Sequence, residues 1–168
     1  VRSALKFQAE HTTEQYPRSD KMSRLENGYI VPDKKAAGRI HMSVNPLTGE
    51  AGGHHDCDHL FVDFAYHYLC WTGDTALIAE IWTSLVKAVN FQKVTRDFDN
   101  DGLYVNILNN WMSDSHEYHQ GACTIQSAYL WKNNTAMAEM AGLIGENPVK
   151  YFKEAADKGS PAAMYNTG

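Results

Sequence analysis

Two carboxylates, a tryptophan and a histidine lie close together in the run NNWMSDSHEYHQGACTIQSAY, residues 109–129. The four side chains are Trp111, Asp114, Glu117 and His119. Breaking a glycosidic bond needs a carboxylic acid to protonate the leaving oxygen and a carboxylate to activate water or to attack. An aromatic ring beside them offers a surface on which a sugar can stack. The structural alternative is that Asp114 or Ser115 caps a helix whose first turn holds Glu117.

A second polar patch, GGHHDCDH, precedes an apolar helical pattern. His59, Asp63 and His67 recur every four residues, so they share one face of the predicted helix. With His55, the residues His59 and Asp63 are predicted to present polar groups to a sugar cleft at the helix N-terminus. One alternative is a solvated helix face with acidic residues near the positive end of the helix dipole. A zinc site is another, although no third and fourth ligands are evident.

The sequence DFDNDG places acidic residues in the spacing of a calcium loop. Asp97, Asp99 and Asp101 occupy positions 1, 3 and 5, and a glycine follows at position 6. Position 12 is Leu108 instead of the bidentate glutamate, which excludes a full EF-hand. A looser, weak calcium site is one reading, and a solvated turn is the other. No other cofactor is expected.

Composition limits the partners. The net charge of the 168 residues is -5, which argues against nucleic acid and against an anionic membrane surface. The sequence lacks the glycine-rich nucleotide motifs, the serine-hydrolase elbow and the HExxH zinc motif. Three cysteines without CxxC spacing leave the redox compartment open, and cytoplasmic and extracytoplasmic locations both fit. The first residues, VRSALKFQAE, show no secretory segment and are typical of the interior of a longer chain.

The apolar spacing predicts an all-α fold of antiparallel helical hairpins in one domain over residues 1–168. Residues 1–16 are a weak helix, and 17–53 are a long irregular connection with a short strand at GRIHMSV. Two hairpins fill 54–158. Their helices are predicted at 57–71, 75–93, 122–144 and 148–158, and Met137 and Met140 are expected to fill the core. The turn at TGD supplies a glycine stop and Asp74 as the next N-cap. Gly145 is the predicted stop of the 122–144 helix, and Asn147 is the predicted cap of the helix that follows.

The order of these motifs resembles the six-hairpin glycosidase superfamily, whose members are (α/α)6 toroids. The resemblance lies in DHLFVDFAYHYLCWTGD, DNDGLYVNILNNWMSDSHEYHQGACTIQSAY and AMAEMAGLIGEN, over residues 53–156. It is nearest to a trehalase- or glucosidase-like bacterial branch with a W-x-S-D-S loop. A complete toroid needs a dozen helices, and this sequence provides about five. The resemblance therefore implies a fragment or a reduced relative, completed by the rest of a toroid or by another chain.

The resemblance implies a glycoside hydrolase that acts on an oligosaccharide by an inverting mechanism. Asp114 corresponds to the aspartate of the W-x-S-D loop that carries the general acid. HEYH, however, resembles the DEYH of disaccharide phosphorylases, in which the glutamate is the acid, and this points to Glu117. The second carboxylate would sit on a later hairpin, outside these residues. Trp111, His119, His59, Asp63 and His55 are the predicted substrate-binding residues. In an antiparallel array of hairpins alternate helices start on the same face, so the two polar patches are predicted to lie side by side in one cleft.

Two alternatives to the hydrolase stay open. One is a helical domain without catalytic activity that binds carbohydrate or a protein partner through its aromatic loop. The other is a disaccharide phosphorylase. The feature that separates an inverting enzyme from a binding domain is a second carboxylate about 6.5–9.5 Å from the acid. The sugar, the linkage and the oligomeric state have no signature in the sequence.

Overall fold

The computed structural model describes residues 1–12, 23–26, 29–32, 38–40, 43–44, 51–52, 57–97, 103–104 and 124–157. Five helices dominate this part of the chain: α1 (Arg2–Glu10), α2 (Cys57–Thr72), α3 (Thr75–Arg96), α4 (Thr124–Ile144) and α5 (Val149–Asp157). The helices form the core, so the all-α prediction is confirmed. The larger toroid stays a prediction.

Two small antiparallel hairpins lie where the sequence predicted an irregular connection. Strand β1 (Ser23–Glu26) pairs with β2 (Tyr29–Pro32), and β3 (Ser43–Val44) pairs with β4 (Ala51–Gly52). Only Asn27 and Gly28 separate the paired residues Glu26 and Tyr29. An Asn-Gly pair between two short runs is a strong hairpin signature, and the sequence prediction missed it. Of the strand expected at GRIHMSV, Ser43 and Val44 form β3, and the described residues 38–40 lie outside any strand.

The turn between α2 and α3 forms as the TGD motif predicts. Gly73 has a φ of 68°, a left-handed conformation that is easy only for a residue without a side chain. Its N–H donates to the Leu69 carbonyl at 2.7 Å. Asp74 then accepts the Leu77 N–H at 3.0 Å through its carboxylate, which makes it the N-cap of α3. The short turn therefore folds α3 back antiparallel to α2.

The second hairpin ends α4 and starts α5 in a similar way. The Glu146 N–H donates to the Ala141 carbonyl at 2.8 Å around Gly145, which has a φ of 82°. This is the pattern of a Schellman C-cap. Asn147 then accepts the Val149 N–H at 3.0 Å, as an N-cap does. The predicted cap and the predicted stop are both confirmed.

The core is formed where α2, α3 and α4 meet. Each of these helices contributes apolar side chains that are at most 5% exposed, among them Phe61, Val62, Leu69, Leu77, Ile78, Leu85, Met137 and Met140. The two methionines fill the core as predicted. None of the helices in the described residues is long and apolar enough to cross a membrane.

Helix α1 is held against the α2–α3 turn by ion pairs. The Arg2 guanidinium lies 3.0 Å from the Asp74 carboxylate and 3.5 Å from that of Glu80, and Lys6 also pairs with Glu80. The Ser84 hydroxyl donates to the Ala9 carbonyl at the other end of α1. Leu5 is buried between them. Polar contacts at both ends therefore fix the direction of this short helix across the bundle.

Candidate functional site

Helices α2 and α4 run parallel, and the first turn of α2 lies beside the second turn of α4. His59, the third residue of α2, stacks on Tyr129, the sixth residue of α4, with ring centroids 5.2 Å apart. Further along both helices, the Tyr66 hydroxyl donates to the Glu139 carboxylate. The contacts follow in the same order on the two helices, which is possible only if the helices point the same way. The two segments that lead into α2 and α4, which carry the two predicted polar patches, therefore meet the bundle at one end.

A buried polar network joins three helices at this end. The Asn133 amide nitrogen lies 3.4 Å from the His59 carbonyl oxygen, the His59 Nδ1 and the Gln92 Oε1. All three residues are 1% exposed. Buried polar groups need hydrogen-bond partners, and here each helix supplies them to the others. The network therefore fixes α2, α3 and α4 relative to one another.

The location of His59 corrects one reading of the second polar patch. A solvated helix face is wrong for His59, because that face packs against Tyr129 and Asn133 of α4. The pattern of every fourth residue was read correctly as one face, but the residues that His59 packs against lie at least 70 positions away in the sequence. The prediction that His59 contributes to a substrate cleft stays a prediction. The His59 side chain is 1% exposed and is therefore enclosed within the helix bundle.

Asp63 lies one turn further along the same face. Its Oδ1 is 2.7 Å from the Lys132 ammonium and 3.4 Å from the His67 Nε2. The Lys132 ammonium also lies 6.0 Å from the centre of the Tyr129 ring. Only 12% of the Asp63 side chain is exposed, whereas 44% of that of Lys132 is. The Asp63 carboxylate of α2 therefore forms an ion pair with Lys132 of α4 at the edge of the contact between these two helices.

Asp58 is a carboxyl group buried at the start of α2. It is 1% exposed, and its Oδ1 accepts the Ile40 N–H at 2.7 Å. Burial raises its pKa to about 7, against the opposite effects of the Ile40 N–H and the charges of Arg96 and Arg39. Both arginines are themselves buried, at 3% exposure or less. This end of the bundle therefore concentrates charged groups in a place with little water, as functional sites often do.

The sequence prediction did not single out Arg39, Gln92, Arg96 or Asn133. One pattern could have found two of them. Gln92 and Arg96 follow Val89 on α3 at spacings of three and four residues, so they lie on the same buried face as this valine. Asn133 has no such signature, because its role depends on three helices packing together. Arg39 lies outside any helix and has none either.

The acidic run after α3 is described only at its first residue. Asp97 is 5% exposed, and its N–H donates to the Lys93 carbonyl as α3 ends. Among the described residues, no three histidine, cysteine or acidic side chains are grouped so that they could hold a metal ion. The weak calcium site that includes Asp99 and Asp101 stays a prediction.

Most of the predicted site residues lie outside the described part of the chain. They are His55, Asp99, Asp101, Trp111, Asp114, Glu117 and His119. The described residues on either side of the 105–123 segment are Tyr104 and Thr124. Tyr104 is anchored at this end of the bundle, since its N–H donates to the Ser127 hydroxyl of the first turn of α4 at 3.2 Å. Both described ends of the segment that holds Asp114 and Glu117 therefore lie close to the start of α4.

An apolar groove lies on the other side of α2, facing α1. Its volume is about 900 Å³, and Leu5, Leu60, Phe64 and Trp71 line it. Phe64 is 56% exposed and Trp71 is 87% exposed. Helix α2 therefore has a polar face towards α4 and an apolar face that the described residues cover only in part.

No family model matches the sequence, and a search of curated proteins finds no similar protein. The resemblance to six-hairpin glycosidases thus rests on the quoted motifs alone.

Proposed function

We propose that this chain is part of a six-hairpin, toroid-type glycoside hydrolase that cleaves an oligosaccharide with inversion. The observation that carries the proposal is the pairing of the parallel helices α2 and α4 near their starts, His59 against Tyr129. This pairing supports a single site, because the segments leading into the two helices carry the two polar patches of the sequence. Asp114 is the proposed general acid, and Glu117 is its rival.

The buried groups at this end have a supporting role in the proposed site. Asp58, His59, Gln92 and Asn133 are each 1% exposed, so they contact other protein groups instead of a substrate. A general acid must be held within a fraction of an ångström of its working position, which requires rigid surroundings. The interhelical network holds α4 at Asn133, its tenth residue, and so supplies that rigidity in the first half of this helix.

The apolar groove supports the part of the proposal that concerns partners. Phe64 and Trp71 form an exposed apolar surface on α2, and such a surface is typical of one that another element covers. Further helical hairpins, from this chain or another, would complete the toroid and supply the second catalytic carboxylate.

The test is hydrolysis of a panel of oligosaccharides by the full-length protein. Asp114→Asn should lower turnover roughly 10²- to 10⁴-fold, the loss expected when a general acid is removed. Glu117→Gln is the parallel variant, and Glu10→Gln, on the exposed side of α1, is the matched control. A loss confined to Glu117→Gln would move the acid to Glu117. A requirement for inorganic phosphate, with release of a sugar phosphate, would assign the phosphorylase reaction instead.

A domain that binds without catalysis is the second candidate, and one observation favours it. The carboxylates described at this end, Asp58, Asp63 and Asp97, are all at most 9% exposed. None of them is placed like the solvent-facing base that activates water in an inverting enzyme. Wild-type binding of oligosaccharide without any turnover would establish this function and overturn the hydrolase.

A further inference from the structure

A pocket of about 580 Å³ lies between α3 and the α4–α5 hairpin, on a different face of α4 from the contact with α2. Its volume is within the range of small-molecule sites, roughly 300–1,000 Å³. One wall is a stripe of α3 that contains Val86, Val89 and Val94, and Leu130 and Tyr151 face it from the hairpin. The walls are thus apolar and far enough apart to admit a ligand.

The far wall is held firmly in place. Tyr151 is 6% exposed, and its ring meets Trp82 edge to face, with centroids 5.9 Å apart and an angle of 82°. The capped turn that begins α5 fixes the position of this tyrosine. Edge-to-face contact is a favoured arrangement of two aromatic rings. The pocket is therefore preformed and does not depend on a mobile wall.

Buried polar residues line the pocket together with the apolar ones. Asn134 is 2% exposed, and its amide nitrogen donates to the Leu130 carbonyl at 3.0 Å. That hydrogen bond fixes the amide and leaves its carbonyl oxygen as the acceptor for a ligand hydroxyl. Asp97, at 5% exposure, also lines the pocket. A few buried polar groups among apolar walls are typical of sites that orient a small molecule.

Two lysines are among the more exposed of the described lining residues. Lys93 is half-buried and Lys150 is exposed, and Asp97 is the one carboxylate among the described lining residues. These described residues carry a net charge of +1 (two lysines, one aspartate), whereas the whole chain carries -5. The Lys150 ammonium lies 5.3 Å from the centre of the Tyr151 ring, over the apolar wall. An anionic group at the mouth would meet these ammonium groups while the body of the ligand packed between the walls.

We propose that this pocket binds a small carboxylate with an apolar, hydroxyl-bearing body, of the size of a hydroxyaryl alkanoate. The apolar body packs between the α3 valines and Tyr151, its hydroxyl reaches Asn134 and Asp97, and its carboxylate lies between Lys93 and Lys150. This inference stands apart from the proposed hydrolase, because the residues that carry it belong to α3, α4 and α5 and do not include Asp114 or Glu117.

The test is an NMR titration of the protein with 3-(4-hydroxyphenyl)propanoate. Saturable shifts are expected at the backbone amides of Val89, Asn90 and Asn134. The neutral amide of the same probe should bind roughly fivefold more weakly, as should the carboxylate to a Lys150→Gln variant. Lys153→Gln, also exposed on α5 but outside the pocket, is the matched control and should bind like the wild type.

A second variant tests the location. Val94→Trp places a large side chain at a position of the lining that is 39% exposed, so it should fill the pocket and abolish binding without disturbing the core. A thermal melt checks that this variant folds. Shifts confined to the α1–α2 groove around Phe64 and Trp71, equal binding of the acid and its amide, or the absence of saturable shifts would each overturn the proposal.

Discussion

Asp58 is a residue at which burial and charge oppose each other. Its folded pKa is about 7, whereas an aspartate in an unfolded chain titrates near 4. A raised pKa means that the folded state holds a proton that the unfolded state has released. The stabilising contribution is therefore fully present below about pH 4 and is lost as the pH rises through about 7.

We predict that Asp58→Asn removes this pH dependence. Asparagine keeps the acceptor for the Ile40 N–H but cannot ionise. Between about pH 4 and 7, the free energy of unfolding of the wild type should fall by about 1.4 kcal/mol per pH unit relative to that of the variant. Urea denaturation at several pH values measures both free energies. The difference between the two proteins is the quantity to follow, because contributions of other groups cancel, and a pH-independent difference would contradict the prediction.

Two glycines in left-handed conformations should respond differently to substitution. A Cβ at Gly73 would meet nothing within 4 Å, so Gly73→Ala should cost only the backbone penalty of about 1–2 kcal/mol. A Cβ at Gly38, where φ is 93°, would lie 2.2 Å from the Lys87 carbonyl oxygen. We predict that Gly38→Ala lowers the free energy of unfolding by clearly more than Gly73→Ala does. Equal losses in denaturant titrations would show that residues 38–40 do not pack on α3 as described.

Residues whose roles are local could be predicted from the sequence, and the others could not. Asp74 and Asn147 cap helices that begin within a few residues of them, so their types and positions were sufficient. The partners of His59 and Asp58 are distant in sequence, and nothing near either residue shows whether its helix face meets water or protein.

At the scale of elements, the same distinction explains the helix bounds. The predicted 57–71 and 122–144 became Cys57–Thr72 and Thr124–Ile144, because periodicity and terminal glycines mark the helices locally. Helix α3 runs on to Arg96 instead of ending near 93, since its last turn packs inside the bundle, where Thr95 and Arg96 are buried. Tertiary packing, which the sequence pattern does not show, extends the helix.

The turn at Asp74 joins three elements through one carboxylate, and its two roles can be separated. Its Oδ1 caps α3, and its Oδ2 accepts hydrogen bonds from Arg2 of α1 and Tyr68 of α2. We predict that Asp74→Ala lowers the melting temperature more than Asp74→Asn. Asparagine caps a helix about as well as aspartate but loses the charge that holds Arg2. Equal decreases in the two variants would mean that the cap contributes nothing.

The pH dependence of the same turn follows from the lowered pKa of Asp74. The Leu77 N–H is its main cause, followed by the hydrogen bond from Arg2. A lowered pKa gives stability that is present above about pH 4 and is lost as the pH falls through the folded value. The difference in melting temperature between the wild type and Asp74→Asn should therefore shrink below pH 4. High salt should shrink it as well, because the pair with Arg2 is exposed.

At the scale of the whole molecule, the arrangement of α2, α3 and α4 follows from the capped turn between α2 and α3 and from one buried network. The sequence predicted that alternate helices would begin on the same side, and the parallel contact between α2 and α4 agrees with it. The sequence did not predict that a histidine of the expected cleft would lie inside the bundle. Hydrophobic periodicity identifies which residues share a face, but the identity of the opposite helix depends on the packing of the entire chain.

The Asn133 network allows a last prediction about how the three helices are held together. Asn133→Ala leaves His59 and Gln92 with buried polar groups that have lost a partner, so it should lower the free energy of unfolding by about 1–3 kcal/mol. His59→Phe keeps a ring against Tyr129 but removes one of the groups that Asn133 contacts. The two losses should therefore be less than additive in the double variant, with a coupling of about 0.5–3 kcal/mol. Leu143→Ala, at a position of α4 that is 62% exposed, is the control and should change stability little. Strictly additive losses would mean that His59 and Asn133 stabilise the fold independently, and the parallel pairing of α2 and α4 would then not depend on this network.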